Sequence, residues 1–140
     1  MSNAIRMSLA MLSIATCFSA IAAGPSTQYF PRAGKPFSSA VRVGDFVYVS
    51  GATGNASDDF VTQAASAMDA VGKELQLAGA SMDDVYRCTI ALTDMNNWDA
   101  FNTVYVKYFK PDRYPVRMSF GVTSLGGAAV EVQCEAHLKK

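Results

Sequence analysis

The run Val130-Glu131-Val132-Gln133-Cys134-Glu135-Ala136-His137 alternates apolar and polar side chains without a break. A strand sends successive side chains to opposite faces. Val130, Val132, Cys134 and Ala136 therefore form an inward face, and Glu131, Gln133, Glu135 and His137 point the other way. A strand of this kind belongs to a sheet covered on one face only. Before it, residues 124–128 form a tight turn containing Gly126 and Gly127, and residues 116–122 form another alternating run just after Pro115. In that run Val116, Met118, Phe120 and Val122 share one face, while Arg117, Ser119 and Gly121 share the other.

The covering layer is legible further toward the N-terminus. Residues 97–109 read as a helix that Asp94 or Asn96 can cap and that Lys110-Pro111 stops. Its stripe of Trp98, Phe101, Tyr105 and Tyr108 is spaced for one face and reads as packing against a sheet. Residues 85–92 read as a strand with Tyr86, Cys88, Ile90 and Leu92 on one face. Residues 58–77 read as a second helix, because Phe60, Ala64, Ala67, Met68, Val71 and Leu75 recur at helical spacing and Gly79 can end it. Residues 40–43 and 46–50 form a hairpin around Gly44-Asp45, and residues 24–35, rich in Pro, Gly, Ser and Thr, form an extended lead-in. The order β-β-α-β-α-β-β predicts a two-layer α+β domain with both helices on one face of the sheet. The opposite face is then expected to carry Arg117, Ser119, Glu131 and Gln133. A broad sheet face left open by the helices invites another subunit.

The chain has 140 residues, half of them hydrophobic, which suits one domain with a sizeable core. Some of that hydrophobicity lies in residues 1–23, where a polar start with Arg6 precedes an apolar stretch ending in Ala20-Ile21-Ala22-Ala23. Small residues at Ala20 and Ala22 fit a cleavage site, so residues 1–23 read as a secretory signal peptide. Residues 24–140 form the mature domain, expected to be periplasmic or secreted and without stable membrane association. Cleavage leaves 11 basic against 12 acidic side chains and no basic run, which disfavours nucleic acid as a partner. It also leaves Cys88 and Cys134, whose spacing matches no metal or C-x-x-C motif. They read as buried thiols, with a disulfide as the alternative if their strands lie side by side.

A lone histidine, His137 near the C-terminus, argues against a metal site and against Ser-His-Asp catalysis. No glycine-rich phosphate loop is present, and no cofactor is expected. What remains is an arginine on a strand, whose planar fork suits a carboxylate, together with a carboxylate, hydroxyls and backbone amides. Such groups can bind a small carboxylic acid and position a water.

Several segments, in this order and spacing, make the chain resemble a known family. They are Pro36-Phe37-Ser38-Ser39-Ala40-Val41, Val47-Tyr48-Val49-Ser50-Gly51 and Gly72-Lys73-Glu74-Leu75 in the first half. Arg87-Cys88-Thr89-Ile90, Leu92-Thr93-Asp94-Met95-Asn96 and Phe101-Asn102-Thr103-Val104-Tyr105 follow, then Pro115-Val116-Arg117 and the closing run 130–137. Together they are similar to the RidA family, also called YjgF and formerly L-PSP endoribonucleases, over residues 37–137. The resemblance implies a chorismate-mutase-like fold assembled as a homotrimer with clefts between subunits. It also implies hydrolytic deamination of reactive enamines and imines, such as 2-aminoacrylate, to 2-keto acids and ammonia. Arg117 matches the family's carboxylate-binding arginine, Glu131 the acid that orients water, and Ser50-Gly51 the pocket floor. Phe37 stands where relatives commonly have tyrosine, and Ser119 where many have cysteine. On this reading Arg117 and Glu131 are catalytic, and Ser50, Gly51, Phe37 and Ser119 contact substrate beside Arg117. Two other readings stand beside this one. One is a non-catalytic module binding small carboxylates in the periplasm, motivated by Phe37 and by a short connection after Gly51. The other is RNA cleavage or binding, suggested only by the family's former name and opposed by the near-zero net charge and the absence of a basic stripe.

Overall fold

The computed structural model describes residue 24 and residues 26–139. The proposed signal peptide lies outside the described residues. Seven strands form one mixed sheet: β1 Thr27–Pro31, β2 Ser38–Val43, β3 Phe46–Val49, β4 Ala52–Thr53, β5 Val85–Leu92, β6 Val116–Gly121 and β7 Val130–His137. Their spatial order is β1-β2-β3-β7-β5-β6, with short β4 also paired to β7. The β5–β6 pair is parallel and the other pairs are antiparallel. Helices α1 (Phe60–Leu77) and α2 (Trp98–Tyr105) supply the second layer. Between them and the sheet lies a core that includes Val47, Met68, Val71, Leu75, Ile90, Leu92, Phe101, Val130 and Val132, each essentially inaccessible to solvent. This is the two-layer α+β architecture predicted from the element order, with β7 at its centre.

Local chemistry accounts for the helix ends. Asp59 caps α1, its carboxylate accepting from the Thr62 backbone N–H at 3.1 Å and from the Thr62 hydroxyl at 2.6 Å. At the other end Gly79 adopts φ 81°, a left-handed conformation that costs glycine little. The chain reversal there lets the Ala80 N–H donate to the Leu75 carbonyl at 2.9 Å and the Gly79 N–H to the Gln76 carbonyl at 3.1 Å. The helix expected over residues 97–109 is α-helical only to Tyr105 and tightens into a 3-10 turn over Val106–Tyr108 before Lys110-Pro111. Asp94 caps the 3-10 turn that precedes it, accepting from the Asn96 N–H at 2.9 Å. The aromatic stripe packs inward as expected, with Phe101 and Tyr105 buried and Trp98 and Tyr108 half-buried at its ends.

Four expectations need correction. The lead-in contains a strand, β1, on the sheet edge beside β2. It is almost wholly exposed, so no apolar alternation marked it. In β5 the pairing with β7 shifts register between Val85 and Arg87, which turns Tyr86 out of the core. The Tyr86 hydroxyl donates instead to Glu135 Oε2 at 2.8 Å. Cys88 and Cys134 are register partners on β5 and β7 and are joined by a disulfide rather than left as thiols.

The fourth correction bears on function. Arg117 is the register partner of Cys88, and Ser119 of Ile90, both core residues. Paired residues point to the same side, so Arg117 and Ser119 lie on the helical side of the sheet. Glu131 and Gln133 pair with Ala91 and Thr89 and lie on the opposite side. Val116, Met118 and Phe120, expected inside, are 68, 53 and 44% exposed on that open face. Alternation tells which side chains share a face, but the partner strand decides which face it is.

Candidate functional site

Arg117 stands on the edge strand β6, on the side of the sheet that faces α2. A cleft of about 270 Å³ opens there, lined by Asn102, Tyr105, Val106, Tyr114, Pro115 and Arg117. Among the described residues no carboxylate is within ion-pair distance of the guanidinium. Its carbon lies instead 4.7 Å from the Trp98 ring centre and 5.0 Å from that of Tyr105. Three buried polar atoms nearby have no protein partner: Asn102 Oδ1, the Tyr105 hydroxyl and Ser119 Oγ. Burying such atoms without a hydrogen bond is costly, and two of them, on Asn102 and Tyr105, belong to residues that line the cleft, which suits it to a polar guest. Burial pushes the Tyr105 phenol up to about 12, with Arg117 opposing the rise, so it acts as a neutral donor or acceptor. Asn102 and Tyr105 were not singled out as site residues from sequence. The signals for them are their helical offset of three residues, which also fits core packing, and their place in the family-like segment 101–105.

The second cluster lies on the other side of the sheet and at the ends of β3 and β4. The Ser50 hydroxyl donates to the Ser38 carbonyl at 2.7 Å, and the Ser50 N–H donates to the Ser39 carbonyl at 2.9 Å. These bonds fix Ser50-Gly51 beside the segment bearing Phe37. A Cβ placed on Gly51 would collide with the Glu131 carboxylate, so glycine is what allows the backbone to approach it. β4 holds Glu131 from its other flank, through the pairing of Thr53 with Glu131. Phe37 is 46% exposed, with the Arg32 guanidinium 5.4 Å from its ring centre. Arg32 is in turn ion-paired to buried Glu74 and donates to Ser39 Oγ at 3.2 Å, which secures the loop.

The predicted site residues thus fall into two groups. Ser119 shares strand and side with Arg117, while Gly51 abuts Glu131 and Ser50 is hydrogen-bonded to Ser38 and Ser39, which follow Phe37. One chain does not bring Arg117 and Glu131 together. Among the described residues no three His, Cys, Asp or Glu side chains are grouped to hold a metal ion.

A family model described as Endoribonuclease L-PSP matches residues 27–138, which span both clusters and every strand and helix of the fold. The chain belongs to the L-PSP, or RidA/YjgF, family. It is 34% identical over 119 residues to a 2-iminobutanoate/2-iminopropanoate deaminase of Capra hircus, covering 79% of this chain and 86% of that protein. It is 33% identical over 106 residues to a RutC family protein of Sulfurisphaera tokodaii, covering 71% and 84%. Among solved structures, a YjgF-family member from Mycobacterium tuberculosis superposes with a TM-score of 0.74 at 32% identity, covering 81% of this chain and all of that one. RidA from an Antarctic Psychrobacter superposes with a TM-score of 0.71 at 28% identity, over 83% and 99%. The RidA fold therefore frames both clusters.

Proposed function

We propose that this RidA-family chain is a hydrolase that deaminates reactive 2-imino and 2-enamino carboxylic acids to 2-keto acids and ammonia. The observation that carries the reading is Arg117, a guanidinium without an acidic partner at the mouth of a cleft walled by unpartnered polar atoms. The fork of an arginine grips a carboxylate through two parallel N–H donors. The naming of the goat relative as an imine deaminase supports the choice of reaction.

In the proposed reaction the enamine tautomerises to the imine, and water adds to the imine carbon. Glu131 holds that water and takes its proton, the nitrogen is protonated, and the carbon–nitrogen bond breaks to release ammonia. The carbonyl oxygen of the product comes from the water. An imine is electrophilic enough that positioning supplies much of the rate, which is why no cofactor is invoked.

Because Arg117 and Glu131 lie on opposite sides of one sheet, the reaction calls for two copies. We propose that Arg117, Ser119 and Asn102 of one subunit face Glu131, Ser50, Gly51 and Phe37 of its neighbour in a homotrimer. The exposed apolar stripe Val116, Met118 and Phe120 on the open face of edge strand β6 supports this arrangement. The exported location inferred from residues 1–23 is proposed on the same footing. A buried Cys88–Cys134 disulfide supports it, since such bonds persist in oxidising compartments.

The test is ammonia release from imines generated by an amino-acid oxidase, in the presence of the mature protein and in buffer alone. The expected outcome is a faster release that Arg117→Ala reduces. Losing a charged hydrogen bond contributes about 1.5–3 kcal/mol, or roughly 10–150-fold in kcat/KM. Release no faster than buffer, with carboxylate binding retained, would instead leave a binding module.

A further inference from the structure

Trp98, the sole tryptophan of the chain, opens α2, and Tyr105 follows two helical turns later on the same face. Both rings meet the Arg117 guanidinium, at 4.7 Å and 5.0 Å from ring centre to carbon. Neither contact belongs to the proposed chemistry. A long arginine side chain on an exposed edge strand has many rotamers, and freezing it on ligand binding weakens affinity. An aromatic ring attracts a guanidinium through its π face, leaving the in-plane N–H donors free for a carboxylate. An acidic neighbour would also orient the arginine, but it would occupy those donors. Among the described residues Arg117 has the rings and no such acid.

The geometry points to Trp98 and Tyr105 as positioning residues, an aromatic clamp that holds Arg117 with its N–H edge toward the cleft. This inference rests on the reading of Arg117 as the carboxylate-binding residue and deepens it. The clamp acts through Arg117 rather than on the reacting atoms, so it governs binding of any 2-oxo or 2-imino acid and leaves the bond-breaking step alone. Its second consequence is that a carboxylate bound to Arg117 perturbs the charge and packing around the Trp98 indole, making Trp98 emission a direct reporter of occupancy.

The experiment measures 2-oxobutanoate binding by calorimetry in the parent protein, Trp98→Leu and Trp98→Phe, together with thermal melting of each. Leucine keeps apolar bulk without a π face, whereas phenylalanine keeps the face. The expected result is a Kd raised roughly 2–30-fold in Trp98→Leu, the range that a cation–π contact supplies, and largely restored in Trp98→Phe. In turnover the same loss appears in KM with kcat preserved. Parent-like binding by Trp98→Leu overturns the inference, and so does equal weakening in Trp98→Phe. Should Trp98→Leu fail to fold, the unaltered protein decides. Its Trp98 emission is expected to change saturably with 2-oxobutanoate, at the Kd from calorimetry, and to stay constant in Arg117→Ala. Constant emission while calorimetry records binding overturns the clamp. Binding without deamination retires the deaminase reading and leaves the clamp standing. Absence of any 2-oxobutanoate binding by the parent overturns both.

Discussion

Arg117 and Glu131 illustrate how differently two charged residues on strands can be held. Arg117 rests on aromatic faces with its donors open, whereas the Glu131 carboxylate is pressed against a backbone stretch that only glycine permits. Gly51→Ala is therefore expected to displace Glu131 rather than to unfold the protein. A misplacement of this kind costs roughly 100-fold in turnover, beside about 1–3 kcal/mol of stability from overpacking. Steady-state kinetics and chemical denaturation on the same variant separate the two effects, and unchanged turnover would remove Glu131 from the mechanism. The tyrosines make a different prediction. Burial raises the Tyr105, Tyr86 and Tyr108 phenols from 10 to about 12, and a carboxylate hydrogen bond adds to the rise in Tyr86 and Tyr108. Between those two values the unfolded chain has lost protons that the folded chain keeps, so stability present below pH 10 declines as pH rises toward 12. Denaturant midpoints across that range are expected to fall; a flat profile would mean that these hydroxyls are freely solvated.

At the scale of elements, β5 and β7 form the axis of the fold, and the Cys88–Cys134 disulfide crosses it. The bond closes a loop between residues 46 apart in sequence, and it lies wholly buried. Constraining an unfolded chain in this way typically contributes about 2–4 kcal/mol. Cys88→Ala/Cys134→Ala is expected to fold with a denaturation free energy lower by that amount. Little change would show that packing of the two strands suffices. The same elements show how much was legible beforehand. The central strand, both helices and the hairpin were readable because each buries one face, and burial imprints a period of 2 or 3.6 on the sequence. β1 is not legible in this way because an exposed edge strand carries no such imprint. Tyr86 departs from the alternation of its strand because a register shift changes the face of a residue without changing the residue type around it. The disulfide stayed open because two cysteines at that spacing do not reveal that their strands are neighbours.

For the molecule as a whole, the decisive fact is that a single chain leaves the two halves of its candidate site on opposite sides of one sheet. On the proposed function, activity belongs to an assembly of subunits, and a mixing experiment tests this. Arg117→Ala and Glu131→Gln, each impaired alone, are expected to regain activity when unfolded and refolded together. An interface that takes Arg117 from one copy and Glu131 from the other is intact in about a quarter of random pairings. Recovery near that fraction, read as ammonia release, supports a shared site. No recovery, with mixed oligomers demonstrated by mass, would place both residues' roles within one subunit.

Composition and periodicity by themselves determined the α+β class, the two helices and the central strand. Residue types in sequence order also identified the family and singled out Arg117 and Glu131. All of these are properties of what a residue is and of its spacing to near neighbours. Tertiary structure alone decided the side of the sheet on which Arg117 stands, the aromatic rings beneath it, the unpartnered atoms of Asn102, Tyr105 and Ser119, and the separation of Arg117 from Glu131. Each of these depends on which strand lies next to which. Strand pairing is set by long-range burial over the whole core, and the local pattern of a strand is the same whichever way it faces.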